Sequence, residues 1–354
     1  KSFANDLSSF DYSLARIHMS YQQVSSPFRW DFTLKTEESY SEQRAVVYDS
    51  IGPGLGQYRY DSEFNAYISD HNGAYIAYTV QTGQRHPTTV VESVQRLAYD
   101  FGKMKGLPDV LVRSDTRIDF RGNHFQGAGL LEPDLKDSSL ARARLVSRME
   151  LDFYGLNRAL SWVEVQQAFS GLDPRGNDLE SSWETGADIT RHLTRSLALQ
   201  AKSRYRSKEI RSTVSVMRDR SVKGWWQEMH LLLHGNKTAD MDFVILGGED
   251  KGLQQEKSYS AQALGFAFDG RIFIRRTGRI QTRIERANVT ANRDAIYLPP
   301  EALNGYPLGT GIRSNTRLQY FINRSISITL SMNTIRDSRY KKLTTFLGEI
   351  RAHF

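Results

Sequence analysis

The sequence predicts an all-β protein, because polar and apolar residues alternate along most of its 354 residues. A period of two is typical of a strand with two different faces. Residues 325–333 show it most clearly, with isoleucine, leucine and methionine on one face and serine, threonine and asparagine on the other. Helical spacing is rare, and the crossover helices that a parallel sheet needs are missing. The expected sheet is therefore antiparallel.

Three parts follow one another along the chain. Residues 1–38 contain the first alternating strands, and residues 109–354 contain about thirteen more and form the main sheet. Between them, residues 39–108 alternate weakly and are rich in Gly, Tyr, Asp and Ser. A stretch of that length is too long for a structureless loop, so it predicts a β-rich insertion or plug-like domain.

Local signals refine this division. The apolar spacing over residues 90–105 predicts the single helix of the protein. Residues 270–287 predict one long strand, with a short turn before it at Asp269–Gly270. Long connections are expected at 171–182 and 288–311. The GPGLG at 52–56 predicts a turn, because it lacks the lysine and the following helix of a phosphate-binding loop.

Composition excludes several classes of protein. The mean hydropathy is −0.51, and no apolar run approaches the length that a transmembrane helix requires. The chain has no cysteine, which excludes a disulfide scaffold, a thiolate metal site and a cysteine nucleophile. With 17 Tyr, 17 Phe and 5 Trp, it has too many aromatic residues for a disordered protein.

Two architectures give alternation: a soluble sandwich or propeller, and a transmembrane barrel whose apolar face meets lipid. Many alternating segments reach the roughly 9–11 residues that a tilted transmembrane strand needs, whereas sandwich strands are usually about half that length. Short turns also alternate with long polar connections. We therefore expect an antiparallel transmembrane β-barrel of about fourteen to sixteen strands with a small β-rich insertion.

The C-terminal residues carry a resemblance that supports this expectation. Phe346, Gly348, Ile350, Ala352 and Phe354 alternate to the last residue, and this pattern resembles the C-terminal signal of bacterial outer-membrane β-barrel proteins. In that family the signal is read by the barrel-insertion machinery, so the resemblance implies that Phe346, Ile350 and Phe354 are targeting residues. Ala352 departs from the pattern, since an aromatic residue is common there.

Two further segments resemble the C-terminal part of large, functionally uncharacterised members of the same group. They are the stretch at 47–78 and the PPEALNGYPLG at 299–309. The resemblance implies location in the outer membrane of a Gram-negative bacterium, in contact with outer-membrane lipid or lipopolysaccharide. These relatives are usually longer than 354 residues, which is compatible with this chain being part of a bigger or split barrel.

The expected function is a pore or a transport and translocation component, alone or as a subunit of a larger complex. Two alternatives stay open: a closed structural barrel that docks a partner protein of the membrane or the periplasm, and a soluble secreted β-sandwich or propeller that binds carbohydrate. Nothing in the sequence assembles a catalytic set, so we expect no enzyme. His230 and His234 are four residues apart, but a third zinc ligand is missing.

The strongest local feature is an arginine ladder, defined as Arg271, Arg275, Arg279 and Arg283, which share one face of the predicted 270–287 strand. An arginine exposed to hydrocarbon at mid-depth costs about 2–4 kcal/mol, so this face should line the pore. Such a lining favours anions. The alternative is that acidic residues of neighbouring strands neutralise the ladder and brace the wall.

Two weaker signals concern ligands. Asp61, Glu63 and Asn65 have the spacing of the first oxygens of a calcium loop, but Ala66 and Asn72 stand where such a loop has glycine and glutamate. Ca²⁺ is therefore the only candidate cofactor. The net charge of 47 − 40 = +7 is dispersed and no recognition motif accompanies it, so we expect no nucleic acid as a partner.

Overall fold

The computed structural model describes residues 13–63, 65–123, 134, 140–155, 157–214, 218–235, 238–254, 257–274, 277–292, 298–323 and 325–352. Seventeen strands occur among them, all in one sheet. They are β1 (Leu14–Gln22), β2 (Phe28–Ser50), β3 (Gly56–Asp61), β4 (Ala66–Gly73), β5 (Tyr75–Asp100), β6 (Val110–Gly122), β7 (Leu140–Phe153), β8 (Arg158–Asp173), β9 (Gly176–His192), β10 (Leu197–Ser212), β11 (Arg220–Gly235), β12 (Ala239–Gln254), β13 (Lys257–Ile274), β14 (Gly278–Ala291), β15 (Gly309–Phe321), β16 (Ile326–Arg336) and β17 (Leu343–Ala352).

Fifteen of these strands form the wall. β1 pairs with β2, β2 with β5, and each strand from β5 onward with the next in sequence, always antiparallel. The predicted fold class, an all-β antiparallel transmembrane β-barrel, is confirmed, and fifteen lies within the predicted strand number. Because all the strands belong to one sheet, the alternative of a sandwich or propeller is wrong.

The two faces of the wall differ as a transmembrane barrel requires. Large apolar side chains are exposed on the outer face along the middle of the strands, among them Met149, Val163, Trp183, Leu199, Trp225, Ile245, Leu264, Phe266, Ile284 and Leu330. Charged side chains lie on the inner face. Among the described residues, no helix has the length and apolar character needed to cross a bilayer.

The connections differ between the two ends of the wall. The three longest connections, 51–74, 123–139 and 292–308, lie at one end, which we call the loop end, and the opposite end is the turn end. β5 pairs with β6 only along its second half, from Thr89 to Asp100. The first half of β5 pairs with the end of β2 instead, so this part of the β2–β5 hairpin extends beyond the wall at the loop end. β3 and β4 form a smaller hairpin in the connection from β2 to β5.

Residues 39–108 thus contain the last part of β2, β3, β4, β5 and a 3-10 turn at Phe101–Lys103. Residue 39 lies inside β2. The predicted helix over 90–105 is wrong, because residues 90–100 continue β5 and the 3-10 turn follows them. Both faces of this stretch mix apolar and polar residues, so the spacing of its apolar residues does not distinguish a strand from a helix. Gly52 and Gly54 have φ of 110° and 77°, which fits the predicted turn at GPGLG.

Two predictions about connections are wrong. Residues 270–287 are two strands, β13 and β14, joined by a turn after Ile274, and Asp269–Gly270 lies within β13. Ile274 pairs with Gly278, so odd-numbered residues face inward in both strands and the alternation continues unbroken through the turn. The long connection expected at 171–182 is mostly strand, because β8 and β9 pair almost to residue 174.

Two clusters of buried apolar residues accompany the wall. The larger lies on the inner face and joins residues of β11–β14, such as Val222, Trp226 and Leu246, to Leu303 and Tyr306 of the connection before β15. The smaller lies on the outer face toward the loop end and contains Val91, Phe120, Leu140, Ala143 and Phe169. The first cluster places a loop inside the barrel.

Candidate lumenal site

The inner wall is a lattice of ion pairs between neighbouring strands. Arg148 and Glu164 face each other on β7 and β8, 3.2 Å apart. Arg113 contacts Asp152 at 2.8 Å, and Lys208 contacts Glu180 at 3.0 Å. Opposite charges on facing positions stabilise a sheet and fix its register. The lattice therefore lines the lumen and also holds neighbouring strands in place.

The described members of the arginine ladder lie on the same inner face, but their acidic neighbours are on their own strands. The structure places Arg271, Arg279 and Arg283 on the inner face, on β13 and β14 rather than on one strand, and Arg275 lies outside the described residues. Arg283 contacts Glu285 at 3.2 Å and Arg271 lies 3.9 Å from Asp269, whereas Arg279 donates a hydrogen bond to the neutral amide oxygen of Gln319 at 3.0 Å. Two of the three thus have an acidic neighbour, and anion selectivity stays a prediction.

His230 is buried on the inner face between two carboxylates. Its Nδ1 lies 2.9 Å from Asp242 Oδ2 and its Nε2 lies 3.1 Å from Glu228 Oε2. Trp226 donates a hydrogen bond to the other Glu228 oxygen at 2.8 Å. Both imidazole nitrogens have acidic partners, so the group ties β11 to β12. His234 lies nearer the turn end and contacts Asp240 at 3.3 Å.

The predicted calcium loop lies in the connection between β3 and β4. Asp61 Oδ1 accepts a hydrogen bond from the Glu63 backbone N–H at 3.0 Å, and the Asn65 side-chain oxygen accepts one from Tyr60. Within the described part of the chain, no group of three or more His, Asp or Glu side chains is arranged to hold a metal ion. The calcium site stays a prediction.

The residues of the C-terminal signal lie on the last strand. Phe346 and Ile350 face outward on β17 and are exposed, which suits contact with lipid. Phe354 lies outside the described residues. Their targeting role stays a prediction.

Sequence reasoning missed the loop that enters the barrel. We call residues 298–308 the lumenal loop. Arg220 of β11 donates two hydrogen bonds to Glu301, at 2.9 and 3.1 Å, and Arg313 of β15 donates one to the Gly305 carbonyl oxygen at 2.7 Å. The loop therefore lies against the inner face between β10 and β15.

The centre of the lumenal loop is fixed by a buried carboxylate. Asp250 of β12 accepts hydrogen bonds from Arg206 at 2.7 Å and from the Leu303 backbone N–H at 2.5 Å. Leu303, Asn304 and Gly305 have φ of 46°, 55° and 75°, and each non-glycine residue in this left-handed region costs about 1–3 kcal/mol. Arg204 compensates by donating a hydrogen bond to the Asn304 side chain.

Aromatic and acidic groups complete the seat of the loop. Tyr306 stacks on Trp226 with ring centroids 5.9 Å apart, and the Arg313 guanidinium lies over the Tyr306 ring, 4.2 Å from its centroid. Burial raises the pKa of Tyr306, and nearby Glu285 raises it further. Burial by itself would raise the pKa of Glu301, but the hydrogen bonds from Arg220, a backbone hydrogen bond and the charges of Arg220 and Lys208 together outweigh burial and hold that pKa below its ordinary value.

One signal for this arrangement was present in the sequence. The connection between β14 and β15 carries Ala302, Leu303 and Tyr306 beside the turn formers Pro299, Pro300 and Asn304–Gly305. Apolar residues in a long connection indicate that it packs against something. Ala302 and Leu303 are in fact 0% exposed.

The opposite half of the lumen is left open by the described residues. A cavity of about 880 Å³ lies against β1, β2 and β5–β8. Its charged lining is balanced, with six arginines and six carboxylates: Arg29, Arg96, Arg113, Arg117, Arg144, Arg148, Asp31, Glu92, Asp115, Asp119, Glu150 and Glu164. Within the described part of the chain, the lumen therefore has a half with a charged cavity and a half covered by the lumenal loop.

Known proteins add little to this description. No protein-family model matches the chain, and no curated protein matches it. Among solved structures, it superposes on the open form of the ferric-catecholate import receptor Fiu from E. coli K12 with a TM-score of 0.34 and 10% sequence identity, over 96% of this chain and 69% of that one.

Proposed function

We propose that the protein is a β-barrel of the Gram-negative outer membrane that forms a water-filled path for small solutes, as a pore or as a transport or translocation component, alone or as a subunit of a complex. One observation carries the proposal. Charged side chains lie on the inner face around a cavity of about 880 Å³ while the outer face exposes large apolar side chains. That arrangement suits a solvated lumen surrounded by lipid.

The path runs along one side of the lumen. The lumenal loop covers the inner face from β10 to β15, where Arg220 and Arg313 hold it. The open cavity lies against β1, β2 and β5–β8. A loop folded into a barrel narrows the cross-section through which a solute moves, so this loop sets the size limit.

Planar-bilayer conductance tests the path. We expect the purified protein to give discrete conductance steps. Replacing Arg204 and Arg220 by alanine removes hydrogen bonds that hold the lumenal loop, so the steps should become larger or noisier. Lys223→Ala with Lys251→Ala is the matched control: it removes the same charge from neighbouring outward-facing positions of β11 and β12. If the unmodified protein, the double arginine variant and the double lysine control all gave no conductance steps, the protein would not be a pore.

A closed docking barrel is the second candidate, and one contact favours it. Arg175, in the turn between β8 and β9, donates a hydrogen bond to the Tyr58 hydroxyl of β3 at 3.1 Å. The contact draws β3 and β4 toward the loop end of the wall. Tyr48 and Tyr67 stack beside it with ring centroids 4.0 Å apart, and Tyr60 is exposed. Such an aromatic surface suits a partner protein of the membrane or the periplasm.

The arginine ladder gives the path a selectivity that can be measured. Arg279 bonds a neutral amide, so its charge is the least compensated of the three described members. Arg279→Ser, alone or with Arg275→Ser, should shift the reversal potential in a salt gradient away from anions. Gln319→Ser, which removes the amide without changing charge, is the control. An unchanged anion preference in Arg279→Ser would contradict the anion path.

The remaining expectations are part of the same proposal. Outer-membrane lipid or lipopolysaccharide would surround the exposed apolar band, and the barrel-insertion machinery would recognise β17. The protein would act without catalysis and without nucleic acid, and Ca²⁺ at Asp61, Glu63 and Asn65 would be its only ligated ion. Calcium titration monitored by tyrosine fluorescence tests that site, because Tyr60 bonds Asn65 directly.

A further inference from the structure

At the loop end of the wall, two arginines face each other on the inner side of neighbouring strands. Arg121 of β6 pairs directly with Arg142 of β7, and we call these two residues the facing arginines. The other charged pairs between β6 and β7 join opposite charges, namely Arg113 with Glu150, Asp115 with Arg148 and Asp119 with Arg144. Like charges directly opposite each other destabilise a sheet. The facing arginines therefore interrupt the charge pattern of the lattice.

The described residues supply little negative charge to this pair. Arg142 lies 3.3 Å from Asp119, but both side chains are exposed, which weakens an ion pair. Arg121 donates a long hydrogen bond of 3.5 Å to the Ser39 hydroxyl. Its Nε is buried and has no hydrogen-bond partner among the described residues. A buried donor without an acceptor is costly, so this arrangement lacks an anionic acceptor.

A second pair of like charges in the same wall is compensated by the protein itself. Glu164 of β8 faces Glu184 of β9. Arg148 lies 3.2 Å from the first of these carboxylates and Arg204 lies 3.5 Å from the second. Each glutamate thus has its own counter-charge on a neighbouring strand. Arg121 has no such counter-charge among the described residues, which distinguishes the facing arginines from a neutralised structural pair.

A cavity adjoins the facing arginines on the inner face. Its volume is about 630 Å³, and Arg142, Arg144 and Arg218 line it. Arg218 has a carboxylate partner, since it lies 2.9 Å from Asp178. Arg144 donates a hydrogen bond to the neutral amide oxygen of Gln166 at 3.4 Å, so it adds positive charge beside Arg142. A cavity of this volume can hold a small molecule.

We propose that the facing arginines bind the phosphate group of a small solute in the lumen. Each guanidinium presents a planar fork of N–H donors that matches two oxygens of a phosphate. A phosphate group carries about 1.5–2 negative charges at pH 7 and has enough oxygens for both forks, whereas a monocarboxylate has one charge and two oxygens. The proposal rests on the proposed function, since it assumes that solutes enter the lumen, and it adds their chemical class.

Isothermal titration calorimetry of the purified, folded barrel with inorganic phosphate at low salt tests the site. We expect the unmodified protein to bind phosphate, and to bind acetate more weakly. Arg142→Gln and Arg121→Gln should each weaken phosphate binding by about tenfold to a hundredfold, because each removes a charged hydrogen-bond donor. Arg317→Gln is the matched control: it removes an exposed, inward-facing arginine from β15 and should leave phosphate binding unchanged.

A second measurement guards against misfolded variants. Phosphate should raise the temperature at which the folded gel band disappears in the unmodified protein and in Arg317→Gln, because a ligand of the folded state stabilises it. It should not do so in Arg121→Gln.

Three results would overturn the proposal. The unmodified, folded protein could fail to bind phosphate, or it could bind acetate as tightly as phosphate. Equal loss of binding in Arg142→Gln and Arg317→Gln would indicate the general charge of the lumen instead of a site. Binding is measured without ion flow, so a barrel that binds phosphate but gives no conductance steps would contradict the pore and not this site.

Discussion

At the scale of single residues, the lumenal loop depends on a few buried polar contacts. Asp250 is 2% exposed and receives hydrogen bonds from both Arg206 and the Leu303 backbone. Removing one partner of a buried charged pair leaves the other uncompensated, and that is more harmful than loss of the contact itself. Individual side chains therefore decide whether the loop stays docked.

Glu301 gives the docked loop a dependence on pH. Its folded pKa lies below the ordinary 4.5, because the hydrogen bonds from Arg220, a backbone hydrogen bond and the charges of Arg220 and Lys208 together outweigh burial. The ionised carboxylate thus stabilises the docked loop above pH 4.5, and this contribution is lost as pH falls through the folded pKa. We expect conductance to rise as the pH falls below 4.5 and through the folded pKa of Glu301.

The variant Glu301→Gln distinguishes release of the lumenal loop by protonation of Glu301 from unfolding of the protein by acid. It should release the loop at neutral pH, at a cost of about 1–3 kcal/mol, and conductance should then depend less on acidification. Glu249→Gln, which faces outward on β12, is the control. An acid response identical in Glu301→Gln and the unmodified protein would contradict this role.

His230 holds β11 to β12 through two carboxylates. Replacing it by leucine leaves Glu228 and Asp242 without the imidazole between them, so the barrel should lose roughly 3–5 kcal/mol of stability. The temperature at which the folded gel band disappears measures this loss. His234→Leu, at an exposed position of the same strand, should lower that temperature much less; equal losses would contradict a bracing role for His230.

At the scale of elements, the two ends of the wall are braced differently. At the turn end, Lys103 donates hydrogen bonds to the Val24 and Ser26 carbonyl oxygens, so neighbouring turns bind each other. At the loop end, Arg175 joins the turn between β8 and β9 to Tyr58 of β3. Contacts between elements far apart in sequence thus position the hairpin of β3 and β4.

Arg175→Ala should release that hairpin. Asp173 and Tyr58 both favour the charged guanidinium and raise the Arg175 pKa, so the side chain stays charged and the contact should persist at any physiological pH. Backbone amides of residues 56–61 should exchange with deuterium several-fold faster in Arg175→Ala. Arg211→Ala, an exposed arginine of β10, should leave that exchange unchanged; similar acceleration in both variants would rule out a specific tether.

At the scale of the whole molecule, the separation of apolar and charged faces defines the environment of the protein. A wall of fifteen antiparallel strands with an outer apolar band should require detergent for extraction. Because many hydrogen bonds join its strands, the protein should also stay folded in detergent until it is heated. We expect the unboiled protein to migrate faster on a gel than the boiled protein. Extraction without detergent, with no shift on boiling, would contradict a transmembrane barrel.

The sequence by itself determined the fold class and the face on which most residues lie. Alternation is a local property: in β16, Ile328 and Leu330 face outward while Ser327 and Thr329 face inward, as the period of two predicts. For the same reason alternation could not reveal the turn after Ile274, since the inward positions stay in phase through it.

Only the tertiary structure decided how the lumen is occupied. The lumenal loop is held by residues remote in sequence, such as Arg204 and Asn304, which are 100 positions apart. The contact between His230 and Asp242 likewise depends on the register between β11 and β12. A periodic sequence specifies which side of a strand faces inward, whereas pairing across the barrel depends on which strands become neighbours and how they align.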